Sequence, residues 1–276
     1  MSHEVISEKQ DASTSEMLRR IQTAESVLLP IPRDAFEKLY LNPKVPTRGN
    51  LRRTFGNPTP ISLMGFVLAA TPAAMSTLGW RGSGGNGGAI LPVFIFFGGM
   101  VQIFGAVGEW ILGNTFSCAL FFTYGTFWIV FGTSEMPFYA VGTNYSPTGS
   151  SFEGMQTSEF NATVGLYYIV LAVLTFVYLI CSIRTNACLF LALFLLVIAF
   201  SLFGAGYFQL AAGNPLQAEK LQKVAGGFTF ALCIPIWHIF IAQILDAVDF
   251  PFSLPVGDLS TIVVGKSQKA QKETCG

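Results

Sequence analysis

The sequence predicts an all-α integral membrane protein, a bundle of six transmembrane helices with both termini in the cytosol. Three observations point there. About half of the 276 residues are hydrophobic and 12% are charged, with 26 Phe, well above ordinary usage. The charges are segregated. Between Thr54 and Ala247 there are only ten, at Arg81, Glu109, Glu135, Glu153, Glu159, Arg184, Glu219, Lys220, Lys223 and Asp246. The same stretch holds six long apolar segments, each of a length that crosses a hydrocarbon core of about 30 Å. A soluble fold of this size needs charged surface throughout, whereas lipid-facing helices need none.

Residues 1–53 are polar, carry nine Lys or Arg, and read as a flexible cytosolic tail. A short amphipathic helix fits 16–29, and Pro30, Pro32, Pro43 and Pro46 break up the rest of the tail. This tail has neither the apolar run of a signal peptide nor a Met-Gly start, so insertion is expected through the first hydrophobic helix. The transmembrane domain is expected over 54–247. Its first helix, 61–78, is entered through Asn57-Pro58 and ended by Gly79, Trp80 and Arg81. The second, 89–108, comes after a glycine-rich loop at 82–88, and the third, 115–132, has Asn114 placed to cap its first turn. The fourth, fifth and sixth are expected at 163–183, 187–208 and 224–245, before a cytosolic tail at 248–276. Continuous apolar runs of this length are helices, because lipid leaves every backbone donor to be satisfied within the segment. Barrel strands would alternate over about ten residues instead.

Orientation comes from the positive-inside rule. Both tails and the loops after the second and fourth helices share one side, with thirteen Lys or Arg. The other side has Arg81, Lys220 and Lys223, and the 133–162 loop has none. Thirteen against three places both tails in the cytosol. Trp80, Trp110, Tyr139 and Tyr207 fall near predicted helix ends, where amphipathic rings favour the interface. Asn144-Tyr145-Ser146 is a formal glycosylation sequon, weakened by Pro147, and Asn161-Ala162-Thr163 lies too close to the membrane.

Several function classes are excluded. Net charge is zero, so no basic field points to nucleic acid. The five cysteines show no CxxC or Cys/His ligand spacing, and the four within apolar stretches read as free thiols packed between helices, with no metal or cofactor implied. Cys275 is not placed as a prenylation box. No P-loop or GxSxG is present, so neither a nucleotide-driven pump nor an enzyme is expected.

Three motifs carry a resemblance. GNPTPISLMGF at 56–66 looks like the Asn-Pro-x-Pro signature that opens the first helix in the acetate/succinate transporter family. GGMVQIFGAVGEWILGNTFSCALFFTYGTFW at 98–128 is similar to that family's central block. Leu254-Pro255-Val256-Gly257-Asp258 resembles the C-terminal motif of its fungal members. In order and with a matching helix count, they liken residues 54–260 to the family. The resemblance implies a hexamer of carboxylate permeases, each protomer with its own pore, in the plasma membrane. The substrate this reading gives is acetate and related small carboxylates, with proton coupling and a passive channel both left open. Ammonium export is a second role proposed within the family, and a membrane sensor that binds acid without transporting it is a third reading. Asn57-Pro58 and Asn214-Pro215 also suggest the paired motifs of aquaporin-like channels. That reading is rejected, because the first precedes a full span and the second sits in a polar loop.

The resemblance further implies a hydrophobic constriction of Phe66, Tyr124 and Leu196. Each lies nine residues beyond a cytosolic-side marker, respectively Asn57, Thr115 and Ala187, which is about 14 Å of helix and close to mid-bilayer. An apolar ring at one depth can gate by dewetting. The predicted substrate pathway comprises Asn57, Pro58, Pro60, Gln102, Glu109, Asn114 and Thr115. Asn57 and Pro58 make a helix N-terminus, whose partial positive charge draws a carboxylate. Gln102, an amide on an apolar helix, is expected to face a cavity or another helix. Glu109 sits at the C-terminal end of its helix, where the dipole disfavours negative charge, so it needs a partner or a proton. It is read either as a solvated interfacial group or as part of proton-coupled movement. His238 is expected to pack rather than relay protons.

Overall fold

The computed structural model describes residues 55–260 and Val263. The 1–53 tail with its 16–29 segment, and most of the C-terminal tail, lie outside them. Six helices among the described residues are long and apolar enough to cross a membrane. They are α1 (Thr59–Thr77), α2 (91–111), α3 (Thr115–Ser134), α4 (Ser158–Ser182), α5 (Ala187–Ala211) and α6 (Pro215–Ala247). Val170, Ile180, Phe104 and Ile234 are each more than half exposed, as side chains facing lipid are.

Three helices differ from the sequence reading. α6 begins nine residues earlier than expected, at Pro215, because its first turns are polar and an apolar window misses them. Those turns are strong helix formers, with Pro215 at the start and a Glu219–Lys223 ion pair of 2.7 Å one turn apart. At 33 residues α6 is about 50 Å long, so it projects beyond a hydrocarbon core. α4 begins at Ser158, where the Thr157 hydroxyl accepts from the Phe160 amide at 3.3 Å. α2 is not a uniform α-helix: Phe94–Val101 is π-helical, flanked by α-helical Leu91–Val93 and Gln102–Ile111. Such widened turns recur at functional sites.

Glycine lets α1 and α2 approach closely. A Cβ on Gly65 would collide with the Phe97 carbonyl oxygen, and one on Gly105 with the Ser62 hydroxyl. The Ser62 hydroxyl itself donates to the Gln102 carbonyl at 2.8 Å, tying the two helices at that level.

The bundle carries an internal repeat that the linear reading missed. At the α2–α3 turn the Asn114 amide donates to the Glu109 carbonyl at 2.8 Å, and Gly113 has φ +77°. At the α5–α6 turn the Asn214 amide donates to the Gln209 carbonyl at 2.8 Å, and Gly213 has φ +78°. The side chains repeat too, Asn114 Nδ2 on Glu109 at 2.5 Å and Asn214 Nδ2 on Gln209 at 3.0 Å. Each turn touches the start of the first helix of its own half, through Thr59–Glu109 and Ser158–Ala211. Since helices alternate in direction along the chain, the two matching turns lie at opposite ends of the bundle, as the turns of an inverted repeat do.

The C-terminal motif folds back onto the α4–α5 turn. Asn186 and Asp258 form an isolated antiparallel bridge, the Ala187 amide donates to the Gly257 carbonyl at 2.7 Å, and the Leu259 amide to the Thr185 carbonyl at 3.0 Å. Half-buried His238 places Nε2 2.9 Å from the Pro255 carbonyl oxygen, so it meets this strap instead of packing only against helices. Cys233 is buried, but Cys181 is exposed and not packed between helices as expected. Trp80, Trp110 and Tyr139 are exposed near helix ends. Tyr207 instead turns inward and stacks on Tyr168, with ring centroids 5.4 Å apart.

Candidate functional site

Three cavities run through the bundle. One of about 30 Å³ lies among α1, α2, α3, α5 and α6, with Gln102, Leu189 and Leu193 in its wall. A second, of about 100 Å³, extends from it toward the α3–α4 loop. A third, of about 500 Å³, opens between α3, α4 and that loop. The first two share four lining residues: Phe66 from α1, Tyr124 from α3, Leu196 from α5 and Leu232 from α6. Tyr124, Leu196 and Leu232 are buried and Phe66 is half-buried.

The three residues singled out as a constriction therefore stand in one place, where the two cavities meet. Leu232 stands with them in the wall of both cavities and carried no sequence signal. On α6 it is one leucine in an apolar run, and only the resemblance distinguished the other three.

Tyr124 is held from a fourth direction. Its hydroxyl donates to Thr175 Oγ1 at 3.1 Å, and that buried threonine donates to the Leu171 carbonyl at 2.7 Å. Beside it, Thr123 and Tyr178 share a hydrogen bond of 2.9 Å. α3 and α4 meet here through long side chains, with Phe127 and Tyr168 edge to face at 6.3 Å. Thr175 carried no sequence signal, since a lone threonine on a membrane helix normally bonds back to its own turn.

Gln102 is buried, lines the smallest cavity, and its Oε1 accepts no hydrogen bond among the described residues. A buried amide oxygen left so costs free energy, about 1–3 kcal/mol, unless a ligand or water meets it.

The other predicted pathway residues gather at one end of α1–α3. Glu109 is entirely buried, which removes the reading of a solvated interfacial group. The Thr59 hydroxyl donates to its Oε1, and Asn114 Nδ2 to its Oε2 at 2.5 Å. One carboxyl thus ties the start of α1, the end of α2 and the start of α3. Asn114 does not cap α3 with its side chain as expected, because that side chain is turned toward Glu109. Asn57 Oδ1 accepts from the Thr59 amide at 3.0 Å. Pro58 precedes the first helical residue instead of occupying it, and Pro60 is the second. Thr115 opens α3 and is exposed. Of the seven pathway residues, Gln102 alone lines one of these three cavities.

The Asn161 amide of the second sequon is buried, donating to the Met155 and Thr157 carbonyls at 3.2 and 2.8 Å. Asn144 is exposed.

Fold and site together define a multi-pass helical membrane protein with two interior cavities that share Phe66, Tyr124, Leu196 and Leu232 in their walls. The chain belongs to the GPR1/FUN34/yaaH family, which matches residues 39–261. It is 36% identical over 247 residues to protein alcS of Aspergillus fumigatus, covering 87% of this chain and 90% of alcS. It is 27% identical over 260 residues to acetate permease A of Emericella nidulans, covering 93% of this chain and 83% of that one. Its fold matches the solved structure of the bacterial acetate channel SatP with a TM-score of 0.55 at 24% identity, over 74% of this chain and 99% of that one.

Proposed function

We propose that this chain is a plasma-membrane permease for acetate and related small carboxylates, with both termini cytosolic and one pore per protomer of a homo-oligomer, a hexamer by family resemblance. Family membership and a relative named as an acetate permease support the substrate class. The observation that carries the mechanism is the meeting of two cavities at Phe66, Tyr124, Leu196 and Leu232.

Physical chemistry then limits what passes. A ring of two aromatic and two aliphatic side chains offers little to replace a hydration shell, so hydrated ions stop there by dewetting. Acetate presents a methyl group that the ring tolerates and a carboxyl group that it does not. Moving that carboxyl as the neutral acid costs far less than moving the anion, which is the reason to expect proton coupling. On the cytosolic side of the ring Gln102 offers the amide that the carboxyl group needs as it emerges. Asn57, Pro58, Pro60, Glu109, Asn114 and Thr115 frame the cytosolic mouth, with Glu109 setting the spacing of three helix ends.

Purified protein in liposomes tests the reading with labelled acetate, succinate and ammonium, each at a mildly acidic and a neutral pH. Acetate uptake above protein-free liposomes, faster at acidic pH, is the expected result. Ammonium passage without acetate would assign the ammonium role. Acetate binding without any flux would make the chain a sensor.

A further inference from the structure

The largest cavity has a charge pattern that the transport reading does not use. Its volume of about 500 Å³ holds an acetate many times over. Tyr168, Tyr207, Phe127, Phe131, Asn86 and Gln222 line both it and the middle cavity that descends to the ring. A solute approaching the ring through this chamber therefore passes its wall. Among the described residues lining the three cavities, one side chain bears a formal charge, Glu135.

Glu135 stands just past the last residue of α3, outside the span. Its Oε1 accepts from Asn86 Nδ2 of the glycine-rich loop at 3.5 Å, a long bond that stabilises the charge only weakly. The groups facing it from α4 and α5 are the phenols Tyr168 and Tyr207, near enough to sense its charge, and Tyr145 and Tyr167 line the same chamber. Phenols are neutral wherever a carboxyl group titrates. From α6 the chamber receives Gln222. The carboxyl group also sits at a helix C-terminus, where the dipole opposes negative charge.

Resting on the proposed permease function, we infer that this chamber is a proton-sensitive filter for weak acids, in which ionised Glu135 turns carboxylate anions away and protonated Glu135 admits them. Burial raises its pKa above the ordinary carboxylate value, and the Asn86 bond offsets part of that rise. The group therefore takes up its proton at a higher pH than a surface glutamate does. Acidification on the chamber side removes the one formal charge among the described residues of the chamber wall as it converts acetate to the neutral acid, so both changes favour uptake.

Two measurements on full-length protein in liposomes test this. In the first, acetate uptake is followed against external pH for wild type and Glu135→Gln. The variant is expected to raise uptake several-fold at neutral pH and match wild type at acidic pH, flattening the profile. In the second, Ser134→Cys, in the chamber wall beside Glu135, is labelled with an anionic and a cationic methanethiosulfonate, and the background of the native cysteines is subtracted. The ratio of anionic to cationic rates is expected to climb as pH falls, and to be flat when Glu135→Gln is added. The labelling ratio needs no transport, so a wild type that moves no acetate would sink the permease reading while the ratio still decides this one. Labelling ratios independent of pH in the Glu135 background would overturn the filter. So would loss of methylammonium passage in Glu135→Gln with an unchanged acetate profile, which would make the chamber a cation site.

Discussion

At the scale of single residues, Glu109 shows both the reach and the limit of reading a sequence. A carboxylate at the wrong end of a helix dipole needs compensation, and that much is legible from position alone. The compensation itself depends on Thr59, fifty residues away, and on an asparagine whose local position suggested a different job. Glu109→Ala would leave the Asn114 amide and Thr59 hydroxyl without this acceptor. The expected cost is about 1–3 kcal/mol, read as a lowered unfolding temperature of detergent-purified protein. Glu109→Gln keeps an acceptor for one of those donors. If Glu109 serves mainly to hold three helix ends, this variant retains pH-dependent acetate uptake; if it carries a proton, the pH dependence disappears.

Thr175 belongs to the same scale. Its bond to Tyr124 orients the only ring member with a polar tip. Thr175→Val is expected to free that ring, raising succinate passage relative to acetate. Tyr124→Phe should have the same effect, and the double variant should be no worse than either single one, as a shared bond requires. Additive effects would separate the two residues.

At the scale of elements, the six spans were legible because lipid imposes long apolar runs whatever the tertiary contacts. Their ends were less so. The first turns of α6 are polar and leave the apolar window, although their propensity and their ion pair are helical. The π-helical stretch of α2 had no periodic signature, since its apolar residues continue on every face. The close approach of α1 and α2 at Gly65 and Gly105 was not legible, because the partners that require glycine lie on the other helix. Gly65→Val drives a branched side chain into the Phe97 carbonyl and is expected to cost about 1–3 kcal/mol or more, as an overpacked core does. Size-exclusion chromatography of the purified variant checks this, with loss of the monodisperse peak as the predicted outcome.

At the scale of the whole molecule, two turns about a hundred residues apart repeat one pattern, Glu109-x4-Asn114 in one half and Gln209-x4-Asn214 in the other. The spacing was present in the sequence, but one glutamate and one glutamine do not read as a repeat until their identical backbone bonds are seen. The alternation of helix directions places these comparable turns at opposite ends of the bundle, with Phe66, Tyr124, Leu196 and Leu232 between them. Of the four residues shared by the two cavities, Leu232 was not legible in the sequence, because it resembles every other leucine in α6. The repeat also departs from symmetry: the α2–α3 turn carries a carboxylate, and its α5–α6 counterpart an amide.

Labelled acetate flux into liposomes, measured for wild type beside Leu232→Ala and Leu232→Trp, tests the account most directly. Wild type should pass acetate and exclude succinate better than Leu232→Ala does, while Leu232→Trp should fold normally and pass neither. Equal acetate flux through all three, with the proteins intact and inserted, would mean that solute does not cross between Phe66, Tyr124, Leu196 and Leu232.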